Sequence, residues 1–191
     1  MKIWQERIQQ IFTESIAVKQ ATLEANALAI EQAVKAIIRT LRRTGKVILF
    51  GNGGSAADSQ HIAAEFIGRF QKERRSLPAI ALTTDTSALT ALGNDYGFEV
   101  VFSRQLEGLG RKGDVAICIS TSGNSENVIR AMQVAQKMGI TTIALTGGTG
   151  GKMAPLADIK IIVPSKVTAR IQESHICTAH CICELVETAL A

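Results

Sequence analysis

No apolar run in this 191-residue sequence approaches the length that a membrane span needs. The first residues, Met1-Lys2-Ile3-Trp4-Gln5-Glu6-Arg7, hold no apolar core of an export leader. Cysteine is scarce, and Cys118, Cys177, Cys181 and Cys183 sit in apolar contexts without the spacing of a disulfide framework. A reducing, cytoplasmic setting is therefore expected, with the cysteines of the C-terminal helix read as small apolar packing. Charge of one sign is also thin. The formal net charge is +4, and only Arg42-Arg43 and Lys72-Glu73-Arg74-Arg75 come near a basic patch. Both runs are short and one is broken by an acid, so they read as a solvated helix end and a polar loop. Neither a nucleic-acid nor a membrane partner is expected. There is no internal repeat, low-complexity tract or linker, and the length suits one domain over residues 1–191.

Glycine and proline are missing from Ile3 to Arg43, where Ile30, Val34, Ile37, Ile38 and Leu41 recur at helical spacing. We expect two helices here, broken near Lys19–Glu24 and closed by a C-cap at Thr44-Gly45. They have an apolar face and no sheet of their own to cover. Residues 1–44 are therefore read as a helical extension that packs between subunits. Beyond it, short apolar runs alternate with loops and helices. The runs are Lys46–Phe50, Pro78–Leu82, Asp114–Ile119, Thr141–Leu145 and Ile159–Val163, with helices from Ala56 to about Phe70, from the 120–125 loop to about Met138, and from about Ala169 to Leu190. Continuous apolar strands between helices predict a parallel sheet covered on both faces. The expected fold is α/β: a Rossmann-like three-layer sandwich with a five-stranded parallel sheet, preceded by the N-terminal helices.

In open parallel sheets ligands sit beyond the carboxyl ends of the strands. Two loops at such positions suit an anion. Gly51-Asn52-Gly53-Gly54-Ser55 lets the backbone approach a ligand and opens onto a helix N-terminus. Ser120-Thr121-Ser122-Gly123-Asn124-Ser125 offers four hydroxyls before a second helix, enough to surround a phosphate monoester without Lys or Arg. Residues 51–56 also satisfy the loose G-x-G-x-x-A dinucleotide pattern, with Asp85 as a nominal ribose ligand. The hydroxyl-rich loop is foreign to that pattern and Asn52 would crowd a pyrophosphate. Sugar-phosphate binding without a nucleotide cofactor ranks first.

His61 and Glu65 share one helix face, one and two turns after the glycine loop. A partly buried carboxylate at position 65 is a plausible general base. On the C-terminal helix, Gln172 and His180 lie roughly 80° apart around the axis and can border one pocket with Ile176 and Cys183. Glu187 falls in the same arc but two turns further on, and reads as a solvated helix-end charge. His175 projects elsewhere and reads as a surface or intersubunit hydrogen-bonding residue. Cys177 and Cys181 could share a metal, but His180 points about 100° from Cys181.

The order strand, GNGGSA, helix, then strand, ISTSGNSENVI, helix resembles the sugar isomerase (SIS) domain. With H-x-x-x-E after GNGGS, GNDYGFE at 93–99 and R-I-Q-E-x-H-x-x-x-x-H at 170–180, the chain looks like the phosphoheptose isomerase branch of that family. The resemblance implies interconversion of sedoheptulose 7-phosphate and a manno-heptose 7-phosphate through an enediol, the opening step of activated-heptose synthesis for bacterial surface glycans. By resemblance Glu65 is the base and His180 the acid. Asn52, Gly53, Gly54, Ser55, Asn94, Asp95, Ser120, Thr121, Ser122, Ser125 and Gln172 would join Glu65 in contacting substrate. It also implies one zinc per subunit on His61, Glu65, Gln172 and His180, and a homotetramer with interfacial sites. Some relatives bind without catalysis, either as regulators or on a replication initiator. Retention of both Glu65 and His180 favours the enzyme.

Overall fold

Five runs dominated by Val, Ile, Leu and Ala form the strands β1 (Val47–Gly51), β2 (Ala79–Ala81), β3 (Val115–Ile119), β4 (Thr141–Gly147) and β5 (Ile159–Val163). They make one parallel sheet in the order β2-β1-β3-β4-β5. The computed structural model describes residues 2–191, without the side chain of Lys2. β1 and β3 are wholly buried, as strands covered on both faces must be. Alternate residues feed two cores. Val47 and Leu49 pack with α1 (Lys2–Arg42), α2 (Gly54–Ile67) and α6 (Thr168–Leu190). Ile48 and Phe50 pack with α4 (Val101–Leu109) and α5 (Glu126–Met138). The chain leaves β1 towards β2 on one side, and its return places β3 on the other. The crevice between β1 and β3 is thus the topological switch point, where such sheets hold ligands.

Residues 86–109, unassigned by the sequence pattern, form α3 (Thr86–Tyr96), a short 3-10 turn and α4. Asp85 caps α3 by accepting from the Ala88 amide at 2.9 Å, so the carboxylate nominated for a ribose serves a helix N-terminus.

The N-terminal region departs from expectation in two ways. α1 is one unbroken helix of 41 residues, not two. The stretch near Lys19–Glu24 holds no residue that would break it, and Gln20 donates to Glu24 one turn on at 2.8 Å. The helix closes at Thr44, which takes the left-handed conformation (φ 61°), with Gly45 donating to the Thr40 carbonyl at 3.0 Å. Second, the latter half of α1 does cover the sheet: Ile30, Ala33, Val34, Ile37 and Leu41 belong to the core. Buried Asn26 donates to the Ile162 carbonyl at 3.0 Å and accepts the Ile162 amide at 2.9 Å. This satisfies both free backbone groups of one residue on the edge strand β5, where an open edge would invite another chain. The first half of α1 is the more open, with Trp4 75% and Phe12 67% exposed, and is held by Arg170 of α6 donating to the Ile11 carbonyl. No described helix is long and apolar enough to cross a membrane.

Candidate active site

β1 and β3 are neighbours in register, Gly51 beside Ile119, so the two anion-type loops emerge side by side. Gly53 has φ 55° and ψ −120°, a backbone state that only glycine adopts without strain, and it turns the chain into α2. In the second loop Ser120 Oγ lies 2.8 Å from Ser125 Oγ and 3.4 Å from Ser122 Oγ, so three hydroxyls converge. The glycine-rich 147–151 segment braces this loop from behind. The Met153 amide donates to the Gly123 carbonyl, and a side chain at Gly151 would strike the backbone of Ser122 and Gly123. A cavity of about 280 Å³ lies alongside, lined by Thr121, Ser122, Gly148, Thr149, Lys166 and Thr168. A larger one of about 780 Å³ opens at the opposite end of the sheet near Lys46, Asp114 and Thr141, with neither loop in its wall. Size therefore does not mark the site; chemistry does.

α2 and α6 run alongside each other and bring the acid–base residues together. His61 Nε2 is 2.9 Å from His180 Nε2 and 3.4 Å from Glu65 Oε1. The ligand-type atoms of His61, Glu65 and His180 all lie within 4.8 Å of one another. The Glu65 side chain is 21% exposed and, among the described residues, accepts no hydrogen bond from a backbone amide. Phe70 covers His180 from one side, ring centroids 5.5 Å apart. Gln172 takes a different place, its amide lying against Gly54 at the mouth of the glycine loop.

Three readings from the sequence are corrected nearby. Glu187 is not a solvated helix end but almost fully buried. It accepts the backbone amides of Phe70, Gln71 and Lys72 at 2.8, 2.7 and 2.8 Å, and Arg74 Nε stands 3.0 Å away. Burial alone would raise its carboxyl, but the three amides and the guanidinium outweigh it and hold the group below the usual range. Arg74, read as part of a polar loop, is also buried and donates to the Glu65, Phe66 and Gly68 carbonyls at the end of α2. His175 is buried rather than at the surface, with Nε2 3.0 Å from the Thr146 carbonyl and Nδ1 without a partner; burial lowers it to about 4 against the pull of that carbonyl.

Among the cysteines, Cys118 and Cys183 are buried as apolar packing requires, and burial pushes Cys183 up to about 12. Cys177 and Cys181 are exposed, because they face the groove between α6 and α1. Asn94 and Asp95 end α3, exposed and bonded to each other at 2.8 Å. Among the described residues, no hydrogen bond joins them to either loop.

Two residues went unnoticed in the sequence. Asp58 lies one turn before His61, and its Oδ2 is buried without a hydrogen-bond partner. Burial raises its carboxyl, opposed by His61 and His180. Asn127, buried in the first turn of α5, exchanges two hydrogen bonds with Asn52, each 2.9 Å. The available signal was an asparagine inside a helix, where its propensity is poor.

Residues 10–147 match the SIS domain family. The chain is 61% identical to the phosphoheptose isomerase of Aquifex aeolicus over 182 residues, covering 95% of each. The solved phosphoheptose isomerase of Neisseria gonorrhoeae superposes with a TM-score of 0.92 at 48% identity, covering 97% of this chain and 99% of that one. That of Francisella tularensis gives 0.92 at 41% identity, over 96% and 97%.

Proposed function

Since the chain belongs to the SIS-domain family and, within it, to the phosphoheptose isomerases, we propose that Glu65 and His180 perform the aldose–ketose isomerisation of sedoheptulose 7-phosphate to D-glycero-D-manno-heptose 7-phosphate. The observation that carries this reading is the convergence of His61, Glu65 and His180 within 4.8 Å, with His61 and Glu65 about two and three turns along the helix that follows a glycine loop adjoining a hydroxyl cradle. The relatives named above are isomerases, so a non-catalytic scaffold is not favoured.

The phosphate of the sugar sits on Ser120, Thr121, Ser122 and Ser125 and the α5 N-terminus, which stabilise a dianion by hydrogen bonds and dipole. Asn52, Gly53, Gly54, Ser55 and Gln172 bind along the chain of hydroxyls, with Asn94 and Asp95 completing the contacts. Moving a carbonyl between C1 and C2 requires taking a proton from one carbon and returning it to its neighbour. Glu65 does both, because its carboxylate is not tied down by backbone donors. His180 moves a proton between the two oxygens of the enediol, since an imidazole can donate from one state and accept in the other.

The same cluster suits zinc. Ligand atoms 2.0–2.1 Å from a tetrahedral zinc stand roughly 3.3 Å apart; two of the three pairs, at 2.9 and 3.4 Å, lie near that spacing, and the third is within 4.8 Å. His61, Glu65 and His180 would hold the ion, with Gln172 turning from Gly54 as the fourth ligand, and an ion so held would compete with the role of Glu65 as a free base. Bound zinc would supply Lewis acidity towards the sugar oxygens. The free apolar stripe of α1, including Ile8, Phe12 and Ile16, supports a homotetramer. The setting proposed is the bacterial cytoplasm, at the head of activated-heptose synthesis.

The test is a direct isomerase assay on sedoheptulose 7-phosphate, with and without chelator, beside a sedimentation run. Conversion to the aldoheptose phosphate by a tetramer is expected. Absence of conversion by zinc-loaded protein would sink the reading.

A further inference from the structure

We infer that Asn127 is a positioning residue for the phosphosugar site, clamping Asn52 and the glycine loop to the hydroxyl loop; the inference rests on the site reading above. Among the described residues, the two reciprocal bonds at 2.9 Å between Asn52 and Asn127 are the side-chain hydrogen bonds that join these two loops and the helices they open. A primary amide carries two donor hydrogens and two acceptor lone pairs. Each asparagine spends one donor and one acceptor on the other. Asn127 is 4% exposed, so its remaining capacity does not face solvent. Asn52 is half-buried at the loop mouth, and the exchange leaves one N–H and one lone pair of its amide unused.

The clamp is needed because the glycine loop has little stiffness of its own. Gly53 sits at φ 55° and ψ −120°, a state from which the unligated backbone has many exits. Two hydrogen bonds to a side chain rooted in α5 fix the plane and place of the Asn52 amide before substrate arrives. The ordering cost of binding is correspondingly smaller. The hydroxyl loop gains in turn, because Asn127 follows Ser125 by two residues and ties the start of α5 to the neighbouring strand end. The two loops therefore act as one receptor, with the phosphate end and the reacting end held at a fixed distance.

The experiment compares N127D and N127L with the wild type. N127D is nearly isosteric, keeps an acceptor and loses the donor to Asn52 Oδ1. N127L removes both bonds without adding charge. We expect KM for sedoheptulose 7-phosphate to rise roughly tenfold or more in N127D, with kcat falling much less, because what is lost is ground-state placement rather than proton transfer. In a cycle with N52A, N127L should add little to the effect of N52A alone. A merely structural asparagine would lower the melting temperature and leave KM unchanged. KM within twofold of wild type in folded N127D, or full additivity with N52A, would overturn the inference. Thermal stabilisation by the same sugar phosphate gives the comparison without turnover. A wild type that binds the sugar without converting it would count against the isomerase reading, whereas variants that bind as well as wild type would count against Asn127.

Discussion

Glu65 and Glu187 are both glutamates on helices that meet beside the same C-terminal segment, yet the fold treats them oppositely. The side chain of Glu187 is 2% exposed, accepts three backbone amides and faces a buried guanidinium. Every lone pair that matters is occupied, so this carboxylate stays charged and stays put. The Glu65 side chain is 21% exposed, its neighbour is an imidazole at 3.4 Å, and no backbone amide among the described residues donates to it. A carboxylate can exchange a proton with substrate only if its oxygens are not already committed. The two are linked mechanically. Glu187 holds the Phe70 amide, and the Phe70 ring covers His180. Arg74, paired with Glu187, donates 2.8 Å to the carbonyl of Glu65 itself. The saturated pair is the floor on which the unsaturated one stands.

The largest expected effect breaks the comparison on the Glu65 side. E65Q keeps shape and hydrogen-bonding capacity but cannot take a proton, so turnover should fall by about 10²–10⁴-fold with melting unchanged. Steady-state kinetics beside a thermal melt will check this, and robust turnover in E65Q would remove Glu65 from the role of base.

On the other side, E187Q leaves Arg74 buried without its counter-charge and gives one backbone amide a donor to face. A stability loss of about 3–5 kcal/mol in denaturant titration is expected, with kcat of the folded fraction changed far less than in E65Q. A variant as stable as wild type would contradict the buried pair.

Acid sharpens the contrast further. The folded-state value of Glu187 is depressed, so its contribution is present above its ordinary value of 4.5 and is lost as pH falls through the folded value. His175 acts in the same direction in a higher window. Folded, it sits at about 4 against 6.5, so the unfolded chain takes up a proton first and stability falls as pH drops from 6.5 towards 4. That span corresponds to a loss on the order of 3 kcal/mol. Denaturant midpoints followed from pH 7 to pH 4 should decline for the wild type and decline less for H175Q. Equal slopes would show that the buried ring does not titrate as described.

The smallest effect is the control. Glu184 lies on the same helix, exposed, with one contact to Gln71 at 3.4 Å. E184A should change stability by less than about 0.5 kcal/mol and leave KM alone.

Much of the fold was legible because its signals are local. Each apolar run between turn residues became a strand, and the last one, Ile159–Val163, has the observed bounds. The two loops were visible because glycine and hydroxyl residues cluster where strands feed helices. α3 was not, since it mixes small polar residues with a glycine and buries no residue; α4 does carry a period, with Val101, Phe102 and Leu106 buried on one face, that went unread. The long α1 was misread because nothing in sequence distinguishes a helix that covers a sheet from one that covers a neighbour. Asn26, meeting Ile162 across 136 residues, is what makes the difference.

By itself, then, the sequence determined the parallel sheet, the glycine and hydroxyl loops, and the residue types able to move a proton: period, turn chemistry and i, i+4 spacing are properties of neighbouring residues. Only the tertiary structure decided that Glu187 is buried and Glu65 is not, that His175 is neutral in the core, and that Asn127 reaches Asn52. Those outcomes depend on contacts between residues 117, 29 and 75 positions apart. A helix places a side chain on a face, but what that face meets is set by the packing of the whole chain.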